Sequence, residues 1–89
     1  MSLHIRVSRN LALISSIRAL AYYDKQDYER SIADYTAAIG LDPENPLTLY
    51  GRGLARQKRN DRNGGDADVA AAKALDPDVV AEFATVIVK

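Results

Sequence analysis

The chain has no cysteine, no tryptophan and a single histidine, and over 89 residues its twelve Lys and Arg balance twelve Asp and Glu. Without cysteine there are no disulfide staples, thiolate zinc sites or thiol nucleophiles. His4, alone and close to a terminus, leaves almost no room for a histidine-based triad or a histidine-rich metal site. Zero net charge removes a global pull toward nucleic acid or an anionic membrane. No apolar run approaches the ~20 residues that a membrane-spanning helix needs. What is present, 47% hydrophobic and 27% charged residues, is globular composition and argues against wholesale disorder. A chain of this length makes one small domain with a thin core.

The N-terminus offers two readings. Arg6 and Arg9 ahead of the apolar stretch Leu11 to Ala21 resemble a secretory leader. The stretch carries Ser15, Ser16 and Arg18, however, and helical spacing explains it better. The expected compartment is therefore cytoplasmic. Leu3, Ile5 and Val7 alternate with polar neighbours, so residues 1–9 are expected as an arm, disordered or a tag remnant.

Shifting the sequence by 34 residues brings like onto like. Leu41-Asp42-Pro43 falls on Leu75-Asp76-Pro77, Asp27 on Asp61 and Ala38 on Ala72. Ala19 meets Gly53, Arg18 meets Arg52, and Ser31 meets Gly65. Many of these positions are small, which points to close packing of backbones.

Each unit reads as two helices. Asn10 can cap a helix running to about Lys25, with Leu13, Ile17, Leu20 and Ala21 at helical spacing. A second helix from Tyr28 to Gly40 sets Tyr28, Ile32, Tyr35 and Ile39 on one stripe. Asn45 then caps a third, with Pro46 in the first helical position where its missing N–H costs nothing. That helix carries Leu47, Tyr50 and Leu54 to about Arg59. A glycine-rich loop from Asn60 to Gly65 precedes a weaker fourth helix, Asp66 to Ala74. Arg62, Asp66 and Val69 stand where the first unit has its stripe, so the second hairpin is expected to be under-packed. A fifth helix starts with Asp76 as cap and Pro77, burying Val79, Val80, Phe83 and Ile87.

These residues resemble the tetratricopeptide repeat (TPR) family, whose 34-residue unit is a helix–turn–helix. The resemblance rests on Asp27-Tyr28-Glu29-Arg30-Ser31-Ile32-Ala33-Asp34-Tyr35, on Ala37 to Pro43, and on Tyr50-Gly51-Arg52-Gly53-Leu54-Ala55. It implies an all-α solenoid of two antiparallel hairpins with a C-terminal capping helix. The expected layout is the arm over 1–9 and a helical domain over 10–89. Repeat one spans about 12–45, repeat two about 46–79, and the capping helix about 77–88.

The resemblance also implies that the first helix of each unit lines a concave, partner-binding surface. Leu13, Ser16, Leu20 and Tyr23 would come from unit one, and Leu47, Tyr50, Leu54, Gln57 and Lys58 from unit two. The set suits an apolar peptide or a partner helix, against the plainer alternative that these residues only pack within the chain. Where some family members clamp a C-terminal carboxylate with Lys and Asn, this chain offers Ser16, Leu20, Tyr50, Gly51 and Leu54. A basic cluster of Arg52, Arg56, Lys58, Arg59 and Arg62 contrasts with an acidic first unit, and its functional reading is an anionic partner or head-to-tail pairing with the acidic unit of a second copy. It reads as a solvated face with local ion pairs ahead of an anion-binding surface, and no aromatics interleave it for base stacking.

Asp24 with Asp27, and Asp66 with Asp68, fit helix starts and turns better than acid–base pairs, and Asn63-Gly64-Gly65 lacks the context of a phosphate loop. No catalysis, cofactor or metal is expected. The expected function is a protein–protein interaction module, with self-assembly through the repeat face as the alternative. Partners are a protein or peptide, a second copy in a homodimer included, with nucleic acid disfavoured and no membrane. Two repeats are few for a stable array, so the chain should lean on a second copy or on flanking repeats.

Overall fold

A computed structural model describes residues 3–87, with side chains described over residues 9–86. Met1, Ser2 and the side chains of His4 and Ile87 lie outside the described residues. Five helices follow one another: α1 (Leu3–Asp24), α2 (Tyr28–Leu41), α3 (Pro46–Lys58), α4 (Arg62–Leu75) and α5 (Val79–Ile87). Among the described residues there is no strand. α1 packs with α2 and α3 with α4 as hairpins, α2 joins the two, and α5 lies mainly on α3.

The 34-residue period in the sequence is a period in space. Both hairpin turns pass through a left-handed residue at the same place, Gln26 at φ 63° and Asn60 at φ 70°. The next residue caps the following helix in each unit: Asp27 accepts from the Arg30 amide and Asp61 from the Gly64 amide. Each second helix closes alike, the Asp42 amide donating to Ala38 and the Asp76 amide to Ala72. An arginine reaches across each hairpin to the aspartate sixteen residues on, Arg18 to Asp34 at 2.7 Å and Arg52 to Asp68 at 2.8 Å.

Small residues hold the helices of each hairpin together. Ala19 and Ser31 are fully buried, and the Ser31 hydroxyl donates to the Ala19 carbonyl at 2.9 Å. In the second unit the same places hold Gly53 and Gly65. A Cβ on Gly65 would sit 2.7 Å from the Gly53 carbonyl oxygen, and one on Gly53 2.8 Å from that of Gly65. Ala38 and Ala72 are fully buried too. Tyr35 lies against Gly51, where no side chain would fit.

Three expectations need correction. α1 starts at Leu3, so Asn10 lies inside the helix and caps nothing, and residues 3–9 continue α1 in place of an arm. α4 begins at Arg62, because the Asp61 cap organises the first turn even though two glycines follow. Those glycines belong to the helix and permit its approach to α3, so the second hairpin is closely packed. Val80 is exposed, whereas Val79 and Phe83 are buried; two turn residues, Pro77 and Asp78, precede α5 and set its phase.

Candidate functional site

α1, α3 and α5 together form an apolar groove of about 140 Å³. α1 supplies Leu13, Ser16, Ile17 and Leu20, a run at helical spacing. α3 supplies its N-terminal end: Asn45, Leu47 and Thr48. Phe83 and Val86 of α5 form the opposite wall, and Tyr35 of α2 reaches the base. No lining residue carries a formal charge at neutral pH. The polar groups on the walls are largely engaged with their own backbone. The Ser16 hydroxyl donates to the Ala12 carbonyl, the Thr48 hydroxyl to the Asn45 carbonyl, and the Asn45 side-chain oxygen accepts from the Leu47 amide. Leu13 and Ile17 remain 59% exposed, so the groove presents apolar surface to water at its α1 edge.

Burial raises the Tyr35 phenol well above its ordinary value, with the neighbouring Tyr23 and Asp24 adding to the effect. Tyr23 is raised for the same reasons, burial first and then Tyr28, Tyr50 and Asp24. Both phenols stay neutral at physiological pH, which keeps the inner face uncharged.

Of the nine residues expected on the inner face, the structure gathers Leu13, Ser16, Leu20 and Leu47 into the groove. The other five are elsewhere. Tyr23 packs edge-on against Tyr28 with ring centroids 5.4 Å apart. Tyr50 meets Phe83 in the same way at 5.1 Å, so α5 of its own chain occupies that part of α3. Leu54 is half-buried outside the groove, and Gln57 donates to Asp66 at 2.8 Å. Lys58 is exposed. Ile17, Tyr35, Asn45, Thr48, Phe83 and Val86 were not anticipated here.

The basic cluster is largely engaged within the chain. Arg52 donates twice to Asp68, at 2.8 and 2.9 Å, and also to the Thr36 hydroxyl. Arg56 reaches Asp68 at 2.9 Å, and Arg59 pairs with Glu29 of the first unit at 3.0 Å. Arg62 is exposed beside Gln57 and Asp66. Among the described residues no group of three or more His, Asp or Glu is placed to hold a metal ion. Among them, too, no helix is long and apolar enough to cross a membrane.

Residues 19–59, from the second half of α1 to the end of α3, match the family model of the TPR repeat. Comparison with curated proteins and with solved structures gave no match. TPR repeats generally mediate protein–protein interaction and form a non-catalytic scaffold.

Proposed function

Since the chain is an all-α, TPR-like helical repeat protein, we propose that it is an interaction module taking an apolar partner segment into the α1–α3–α5 groove. In this reading the repeats run about 12–45 and 46–79, with residues 77–88 as the cap. The observation that carries it is the charge-free groove whose α1 edge leaves Leu13 and Ile17 in water. A partner helix or short hydrophobic stretch suits such a surface, because apolar burial is the only strong driving force its walls offer. The arginines of α3 favour an internal role, since Arg52, Arg56 and Arg59 already hold acidic side chains of the same chain.

Selection of displayed random peptides tests the reading. Uncharged, leucine- or phenylalanine-rich sequences should be enriched on the wild-type protein and lose binding on Leu47→Glu. Leu47 lies in the first turn of α3, where a carboxylate suits the helix terminus, so the fold should survive. Peptides that bind both proteins equally would overturn the groove as the site.

A further inference from the structure

We propose that the outer face of α1 is a self-association seam on which a second copy of this chain lays its own α1. This goes beyond the groove reading: the seam shares Leu13 and Ile17 with the α1 edge of the groove and extends from them to Leu11 and Ile14. Leu11, Leu13, Ile14 and Ile17 are 48%, 59%, 60% and 59% exposed. They adjoin one another through steps of three and four residues. Asn10, Ile14, Ile17 and Ala21 alternate by four, three and four, the spacing of a helix-pairing seam, and in the sequence the alternation begins at Leu3 and Val7. Of the arginines beside this stretch, Arg18 turns away to Asp34 of its own hairpin, and Arg9 is exposed at the N-terminal edge of the seam.

α1 has 22 residues to the 14 of α2, so its first two turns, about 12 Å, run past its hairpin partner. A projecting end of a helix draws little stability from its own sequence and gains it by packing against another element. The four exposed side chains leave roughly 400 Å² of mostly apolar surface, within the range of the largest patch on a monomer, which is often functional. Two such patches face to face, with a polar rim of comparable size, reach the ~1,600 Å² of a standard interface. A second copy fits this surface because the seam is charge-free and the chain has no net charge to oppose pairing.

Sedimentation velocity of the full chain across the micromolar range reads the outcome. The wild type should sediment as a dimer. The double variant Leu11→Glu with Ile14→Glu should be monomeric with unchanged helical circular dichroism, and Leu47→Glu in the groove should remain dimeric. A wild-type monomer throughout, a dimeric double variant, or dissociation by Leu47→Glu alone would each overturn the seam. Cross-linking gives a second readout that needs no disruptive charge. In this cysteine-free chain, at least one of Asn10→Cys, Ile14→Cys and Ile17→Cys should form a disulfide dimer under mild oxidant faster than Lys73→Cys does. Equal rates at all four positions would contradict the proposal.

Discussion

Two glycine-to-alanine substitutions of identical chemistry should change stability in opposite directions. Gly40 lies inside α2 with nothing within 4 Å of where its Cβ would be. Alanine there gains only the helix-propensity difference, at most about 1 kcal/mol in the last turn of the helix. Gly65 lies in the first turn of α4, where the added methyl would stand 2.7 Å from the Gly53 carbonyl oxygen and 3.0 Å from the Gln57 amide nitrogen. Both are backbone atoms of α3 and cannot rotate away, so the two helices must separate by several tenths of an ångström. Overpacking of that kind costs about 1–3 kcal/mol, which exceeds or cancels the propensity gain and leaves a net loss of about 1 kcal/mol. Urea unfolding followed by circular dichroism measures both, and in a domain of this size each 1 kcal/mol is worth about 4–8 °C in Tm. A Gly65→Ala variant more stable than wild type would refute the close approach of α3 and α4, and a Gly40→Ala variant less stable than wild type would refute the open space beside α2 at Gly40.

Asp68, 5% exposed and hydrogen-bonded to both Arg52 and Arg56, should lose about 2 kcal/mol on change to Ala, because two partly buried guanidinium groups are left without their acceptor. The equivalent Asp34→Ala should cost clearly less, since Arg18 remains in solvent when released; thermal melts of the two variants make the comparison. Gln26→Gly should stabilise by about 1 kcal/mol, because the residue holds φ 63° in the turn after α1, and denaturant midpoints would show it. For pH, the folded state raises the Tyr35 and Tyr23 phenols above their unfolded values. Their contribution is intact below about pH 10 and is lost as pH rises toward the folded pKa values, since only the unfolded chain ionises readily there. Tyrosinate absorbance should therefore rise together with unfolding above pH 10, and Tyr35→Phe should shift that alkaline transition upward.

Much of the hairpin repeat was legible because its markers are local or periodic. Asn45-Pro46 fixed the start of α3, and the Asp27/Asp61 and Ala38/Ala72 correspondences marked the caps and the packing positions. The start of α4 was hidden because intrinsic propensity argues against glycine in a helix, whereas the contact with Gly53 requires it. The extension of α1 to Leu3 was hidden by the alternation of Leu3, Ile5 and Val7, a period-two pattern that α1 overrides. The inner face was half legible. The resemblance to the repeat family pointed to Leu13, Ser16, Leu20 and Leu47, which the structure places in the groove, but no local signal told that Phe83 would come to rest on Tyr50. The Arg52–Asp68 pair had a signal that could have been read: Asp34 and Asp68 are themselves 34 residues apart, each sixteen after its arginine.

A nuclear Overhauser spectrum of the isotopically labelled chain addresses most directly whether one hairpin geometry is used twice. Cross-peaks are expected between the Gly53 and Gly65 α-protons and, at the matching place in the first unit, between Ala19 and Ser31. Intact helices with neither set of contacts would contradict the account.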